Sequence, residues 1–524
     1  MIDAMLPRLK QGRWRRYLMT PLLCLGLTTQ AQAPLRLPSL GDGAEWALGE
    51  ERQLGDAIMA QVWRDPDIID DPVLLDYVQS LWTPLLSVAR QRGELPAELD
   101  QRFAWDMVLV RDRSVNAFAL PGGYMGVHLG LIAVASNRDE LASVLAHETS
   151  HITQRHIARM LAQETKTTPL LLGTMLLGLL AASRSPDAAG ALLIGGQAAA
   201  VQSQLSFSRD MEREADRVGF GLLTSAGFES QGAIGLFDKL IQAARLNDSG
   251  SYPYLRSHPM STERMADMAG RAQQLGPSAP KAHTDVLHAL MSARARALTD
   301  KSADAQRQLM LQAQERKATS GIVPPETLAA WYAGALAHMQ ARQYAPAESL
   351  LRSLRQALPG TGLVQDRLNW LAAEIHLHAA RPGDALTELS QVSATSAGGR
   401  AQMVWRWQAL LASGKAESSR LAQSEMDLWL SRRPRDGQVW ELSAQALEQM
   451  GDGLRSLRAQ AESRAVRFDL MAAIDRLLAA QDLVRQLVRQ GGLSRTQEMD
   501  AAVIDTRLRQ LRQARREQIG RAHV

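Results

Sequence analysis

The stretch Asn137-Arg138-Asp139-Glu140-Leu141-Ala142-Ser143-Val144-Leu145-Ala146-His147-Glu148-Thr149-Ser150-His151 decides how this 524-residue chain is read. Asn137 followed three residues later by Glu140 is a capping-box-like helix start. Asp139 and Glu140 suit the positive end of the helix dipole. Leu141, Val144, Leu145 and Ile152 recur at helical spacing and predict a buried stripe. His147 and His151 then lie on one face, four residues apart, and both imidazoles can meet a single metal ion. Glu148 sits one residue on and can reach a water on that metal, which is the arrangement a zinc hydrolase needs. A chance H-E-x-x-H in a chain of this length arises roughly once in a hundred sequences. A buried helix carrying two unliganded imidazoles and a carboxylate would also be costly.

Two histidines do not complete a catalytic zinc site, which takes three protein ligands. The segment Asp210-Met211-Glu212-Arg213-Glu214-Ala215-Asp216 puts Glu212 and Asp216 on one helix face. Glu214 lies about 200° round from Glu212 and points away. Glu212 is the expected third ligand, with Asp216 bracing a ligand histidine. Taken alone, the segment reads as a charged helix surface; the first motif reverses that order. His156 comes five residues after His151, about 140° round a continuous helix. It is expected to be a surface or supporting residue, not a ligand. His258, in Ser257-His258-Pro259 with Arg264 six residues on, is a candidate to approach the site.

Composition bounds the rest. With 46% hydrophobic and 22% charged residues the chain is neither disordered nor a polytopic membrane protein. Arg8, Lys10, Arg13, Arg15 and Arg16, the apolar run 18–27 and Ala31-Gln32-Ala33 read as a secretory signal peptide over residues 1–33. Pro34 makes a cut after Ala33 awkward, so Thr29-Gln30-Ala31 is a second candidate site. Cys24 is the only cysteine and lies inside this leader. A mature chain would hold zinc by histidine and carboxylate, without thiolate. Residues 1–33 carry the whole formal charge of +4, so the high pI does not point to nucleic acid. Residues 34–275 are acidic by about 8 charges and residues 276–524 basic by about 8. The two halves can attract one another, or the basic half can meet acidic partners.

Along the chain, helices are expected over 45–63 and 72–92, and strands over 105–111, 114–119 and 124–129, with a turn at Pro121-Gly122-Gly123. The apolar, Ala/Gly-rich stretch 169–201 reads as a mobile helical flap or a segment dipping into a membrane surface; a buried core helix is the plainer alternative. A long helix follows over 208–224, and 277–284 reads as a linker. From residue 285 a repeat emerges at about 34–38 residues. Trp331, Ala335, Tyr344, Ala347, Leu351 and Pro359 mark one unit. Further units are marked by Ala373, Ala385 and Leu389; by Leu410, Ala422 and Pro434; by Trp440, Ala444 and Leu447; and by Ala461, Ala473 and Leu477. Residues 491–524 read as an Arg-rich C-terminal helix or tail. The expected fold class is an α+β zincin of gluzincin type over 34–276, mainly helical with a small sheet, followed by an all-α tetratricopeptide-like solenoid over 285–490.

The HETSH helix, Asn116-Ala117-Phe118-Ala119-Leu120-Pro121-Gly122-Gly123, Glu212-Arg213-Glu214-Ala215-Asp216 and Ser257-His258-Pro259 together resemble the HtpX-like and CAAX-prenyl-protease-like zinc metallopeptidases. With the leader and the repeats, the chain is most similar to exported members of that family that serve outer-membrane β-barrel assembly. The resemblance implies one Zn2+ held by His147, His151 and Glu212, with Glu148 as general base and acid and Asp216 as a second catalytic residue. It implies that Asn116, Ala117, Phe118 and Ala119 form an edge strand that pairs with an extended substrate. His258 would reach the open zinc position and hold the enzyme off, with Arg264 beside it, and 169–201 would cover the active site. The repeats would bind the β-barrel assembly machinery and its barrel precursors in the periplasm, where misassembled or stalled barrel proteins would be cleaved. A different class of function, a repeat-based chaperone or scaffold with proteolysis in reserve, stays open. An integral prenyl-protein protease is disfavoured by the leader and by the lack of multiple spans.

Overall fold

The computed structural model describes residues 47–163, 208–246, 253–275, 286–317, 322–360 and 362–522. The expected leader, the covering stretch 169–201 and the linker 277–284 lie outside them. The described residues form one compact unit.

The first half opens with α1 (Leu48–Val62), β1 (Ile68–Ile69) and α2 (Pro72–Gln91). Proline suits the first turn of α2, where its missing N–H costs nothing, and Asp71 caps the helix by accepting from Leu74 N at 2.8 Å. Then come α3 (Ala97–Arg102), β2 (Asp106–Val110), β3 (Ala117–Leu120) and β4 (Tyr124–His128). The strand expected from Ser114 begins only at Ala117. Residues before it are taken up by a turn in which the Asp112 carboxylate accepts from Ser114 N at 2.7 Å, and side-chain bonding of this kind competes with a ladder.

The sheet order is β1-β2-β4-β3, with β2 and β4 parallel and β3 antiparallel to β4, so β3 is an edge. Gly122 and Gly123 turn the chain between β3 and β4 at φ of 76° and 83°, a region that favours glycine. His128 N donates to Asn116 O at 3.0 Å. By antiparallel alternation, Phe118 faces its partner Gly126, while Ala117 and Ala119 turn their N–H and C=O to the outer edge.

Helix α4 (Leu129–Val134) leads into α5 (Arg138–Thr153). Asn137 caps α5 through Glu140 N at 2.9 Å, and the Glu140 carboxylate accepts from Ser136 N and Lys239. From Glu140 to Thr153 every residue of α5 is buried. A short α6 (His156–Gln163) follows, then α7 (Arg209–Ser225), α8 (Gln231–Leu246), α9 (Tyr254–Ser257) and α10 (Thr262–Gln274). Helices α7 and α8, together with α2 and β3, enclose α5. At Gly219 a Cβ would meet His147 N at 3.1 Å, so this residue lets α7 run close against the motif helix.

Among the described residues the second half consists of six helix pairs: α11 (Val286–Thr299) and α12 (Ala303–Glu315), α13 (Pro325–Gln340) and α14 (Tyr344–Ala357), α15 (Leu363–His378) and α16 (Pro382–Ser390), α17 (Arg400–Ala412) and α18 (Ala416–Arg432), α19 (Gly437–Gln449) and α20 (Gly453–Val466), α21 (Leu470–Gln490) and α22 (Arg495–Ala522). The first helices of the second to fifth pairs end alike, with Arg342, Ala380, Gly414 and Gly451 at φ of 59°, 56°, 66° and 75°. Bonds such as Gln343 N to His338 O and Arg381 N to His376 O at 2.8 Å complete Schellman caps. One departure from the expected layout follows from packing. Ala461 belongs to α20, the second helix of a pair, while Ala473 and Leu477 open the next, so the expected fifth unit is divided. Of the expected helix or tail at the Arg-rich end, the structure has the helix: Ile504, Leu508 and Leu511 of α22 are buried in a shared cluster with α21.

The halves meet through opposite charges, as their composition suggested. Arg294 on α11 is fully buried and forks between Asp71, at 2.6 Å, and Glu374, at 2.7 Å. Arg367 reaches Asp76 at 2.8 Å and Arg400 reaches Asp70 at 3.1 Å. Beside them, His288 Nε2 donates to Ala135 O at 2.7 Å, which leaves Nδ1 to accept from the Tyr77 hydroxyl, also at 2.7 Å. Removing a buried partner strands its opposite charges. Arg294→Ala is therefore expected to lower unfolding stability by about 3–5 kcal/mol, read from urea melts, and combining Arg294→Met with Asp71→Asn and Glu374→Gln should recover most of it. A loss near zero for the single variant would mean that this junction does not hold the halves together.

Candidate metal centre

Helix α5 presents His147 and His151, α7 presents Glu212, and the C-terminal end of α9 presents His258. One donor atom from each of the four lies within 4.8 Å of every other, and all four side chains are buried. The separations are 3.0 Å between the two Nε2 atoms of His147 and His151, 3.5 Å from each Nε2 to a Glu212 oxygen, and 3.4 Å from His147 Nε2 to His258 Nδ1. Donors held 2.0–2.1 Å from a tetrahedral ion stand roughly 3.3 Å apart. The spacing and the nitrogen–oxygen donor set fit a zinc-type ion.

Glu148 is fully buried beside this set. Its Oε2 accepts from Ala119 N, on the outer edge of β3, at 3.0 Å. Its Oε1 makes no hydrogen bond among the described residues and lies 3.4 Å from His258 Nε2. Of the expected substrate strand, Asn116 is buried, with no partner for its Oδ1 among the described residues, and Ala117 and Ala119 are buried on the edge beside Glu148. Phe118 instead packs over Gly126 and edge-on to His128, at 6.0 Å between ring centres.

Asp216 does not join the donor set. It braces His147 through Nδ1 at 3.1 Å and takes both arms of Arg264, at 2.6 and 2.7 Å. Arg264 Nη1 also lies 2.7 Å from Glu212 Oε2 and donates to Pro259 O, so it ties two carboxylates to the loop that carries His258. Glu214 points away from the donors, as its helical angle requires.

The charges sort accordingly. Burial opposes a charged His147, but bonds to Asp216 and Glu212 outweigh it and raise its pKa to about 10. Burial, with the neighbouring His147 charge, keeps His151 well below its ordinary value. Burial pushes Glu148 up against the pull of His258 and His147. For Glu212, burial is outweighed by His258 and His147, which hold its carboxyl well below the usual range.

Two neighbours back the set: His156 in the supporting one of its two expected roles, and Tyr254, which the sequence did not mark. His156 is fully buried and contacts His151 directly, at 2.9 Å between Nδ1 atoms. The expected angle of 140° assumed a continuous helix, whereas α5 stops at Thr153 and the chain turns. Burial lowers the pKa of His156 to about 4 despite Glu214. Tyr254 is fully buried and stacks on His258 with ring centres 4.6 Å apart; no motif marks it.

The model of peptidase family M48 matches residues 82–272, which include every one of these side chains. The beta-barrel assembly-enhancing protease of Escherichia coli (strain K12) is 30% identical over 486 residues, 91% of each chain. The chain belongs to peptidase family M48. A putative beta-barrel assembly-enhancing protease of Vibrio cholerae is 32% identical over 339 residues, covering 64% of this chain and 66% of that one. The mitochondrial metalloendopeptidase OMA1 of Schizosaccharomyces pombe is 33% identical over 165 residues, 31% of this chain and 44% of that one. As an M48 member the chain is a metalloprotease. A metal held by His147 would have to displace its proton, which Asp216 and Glu212 retain up to about pH 10. Apparent metal affinity, measured by chelator competition, should therefore rise about tenfold per pH unit between about pH 6 and 8. A flat profile would exclude His147 as a ligand that loses a proton on binding.

Proposed function

We propose that this chain is a periplasmic zinc metalloendopeptidase with chaperone-like activity in outer-membrane protein assembly, cleaving misassembled or stalled β-barrel proteins. The observation that carries the proposal is the convergence of His147, His151 and Glu212 beside Glu148, directly against the outer edge of β3. His147, His151 and Glu212 hold the ion. When bound, zinc supplies Lewis acidity and lowers the pKa of water toward 7.

Glu148 takes the proton of the attacking water and passes it to the leaving amine. Its burial, which raises its pKa, favours keeping that proton between the two steps. Asp216 holds His147 in orientation and is catalytic only through it. The outward C=O groups of Ala117 and Ala119 and the outward N–H of Ala117 pair with an extended substrate by β-augmentation, beside the Ala119 N–H that Glu148 holds. Strands that have failed to enter a barrel are suitable partners, because their own edges are unpaired. The names of the Escherichia coli and Vibrio cholerae relatives support the assembly context, and the leader-like start supports export. No described helix is long and apolar enough to cross a membrane.

His258 acts as a fourth donor that keeps the site closed, with Arg264 anchoring its loop. The six helix pairs are read as tetratricopeptide-like repeats that hold barrel precursors and the β-barrel assembly machinery. The stretch 169–201 is assigned to the cover of the site and to peripheral membrane contact. The length of the helical array favours a second reading, a repeat-based chaperone or scaffold with proteolysis in reserve.

Glu148→Gln should keep one zinc ion and lose peptide hydrolysis by about 10²–10⁴-fold, whereas His147→Ala should lose the ion too. Full rescue of every loss-of-function phenotype by Glu148→Gln would favour the scaffold reading. His258→Ala should increase cleavage of a model peptide at fixed zinc occupancy; unchanged or reduced cleavage would count against its closing role.

A further inference from the structure

The two histidines of the motif are braced from behind in different ways. His147 Nδ1 faces the Asp216 carboxylate. His151 Nδ1 instead faces another imidazole, Nδ1 of His156, at 2.9 Å. His156 Nε2 in turn lies 3.1 Å from Glu214 Oε2, and that oxygen also accepts from Arg159 Nη1 at 2.7 Å.

The hydrogens on this chain can be assigned. A carboxylate only accepts, so His156 Nε2 carries a hydrogen. In a neutral His156, Nδ1 is then an acceptor, and the hydrogen between the two Nδ1 atoms belongs to His151. That tautomer leaves His151 Nε2 bare. It is the atom 3.0 Å from His147 Nε2 and 3.5 Å from Glu212 Oε1. In the reverse order His156 donates from Nδ1, and a neutral His151 then carries its hydrogen on Nε2, where it blocks ligation.

The backbone is shaped to make this contact. Helix α5 ends at Thr153, and Arg155 adopts φ of 53°, a left-handed conformation unfavourable for a residue with a Cβ. Such strain persists where surroundings hold it. Here Arg155 Nε donates to Glu51 of α1 at 2.9 Å, and Glu51 is buried. On an unbroken helix His156 would point about 140° away from His151; the turn brings it back beneath the ligand.

We propose that His156, backed by Glu214, is a positioning residue that holds His151 in the tautomer able to bind the metal. This rests on the reading of His151 as a metal ligand. Its role differs from that of Asp216, because the brace is a neutral imidazole whose own orientation is set from the protein surface by Glu214 and Arg159.

The test uses the full chain, with Zn2+ affinity from chelator competition and the visible absorption of the Co2+-loaded protein as readouts. His156→Phe keeps a ring but removes the acceptor. It is expected to weaken Zn2+ binding about 10–100-fold and to alter the Co2+ spectrum. His156→Asn, whose carbonyl can accept from His151, should restore most of the affinity and the spectrum. Glu214→Ala, at a part-exposed position, should give a smaller loss of the same kind. A folded His156→Phe with wild-type affinity and spectrum overturns the proposal. If His156→Phe does not fold, wild-type affinity and spectrum in Glu214→Ala overturn it instead. His151→Ala separates this failure from that of the underlying reading: if it binds Zn2+ as tightly as wild type, His151 is not a ligand and the metal-site assignment itself falls.

Discussion

Arg264 sits where α10 meets α7, with its guanidinium between the carboxylates of Asp216 and Glu212. All three side chains are buried. Two carboxylates taken out of water beside each other would repel and would each lose hydration. The planar guanidinium answers both with two directed bonds to Asp216 and its charge 2.7 Å from Glu212 Oε2, and its remaining reach to Pro259 O fixes the loop carrying His258. Position follows from this contact: Glu212 is turned toward the histidines, Asp216 toward the back of His147, and His258 into the same cluster. Arg264 is thus the brace from which the donor set takes its shape, though it is not itself a donor.

The surrounding fold makes such a concentration of polar groups tolerable. Helix α5 is enclosed on all sides, so each polar atom on it needs a partner. His147 finds Asp216, His151 finds His156, and Glu148 finds the backbone N–H of Ala119. The last of these connects the chemistry to the sheet, because β3 is an edge strand whose outward N–H groups face the motif helix. The helical half closes the other side through Arg294, Arg367 and Arg400, which meet acidic residues at or near the start of α2.

Legibility in the sequence followed the range of the interactions. The motif helix, its Asn137 cap and its apolar stripe were readable because all are set within a few residues. So were the three strands around Pro121-Gly122-Gly123, apart from the start of β3, which a local Asp112 turn delays. Glu212 and Asp216 were readable from helical spacing once the motif demanded a further ligand. His156 stayed open between a surface and a supporting role, because the turn that brings it beneath His151 is made at Arg155, which Glu51 holds from a distant helix. Repeat register slipped at Ala461, since alanines on both helices of a pair look alike in sequence. Two of the four left-handed caps, at Arg342 and Ala380, lack the glycine that would have announced them.

By itself the sequence determined the motif helix and its face, which pairs His147 with His151 and sets Glu148 beside them, and that the two halves carry opposite charge. Those properties depend on residue type and on the 3.6-residue helical period, both local. Only the tertiary structure decided that His258 joins the cluster, that His156 stands behind His151, and that Tyr254 lies against His258. Each of these contacts joins groups on different helices, and their meeting depends on how helices pack and where the backbone turns, which no spacing along the chain encodes.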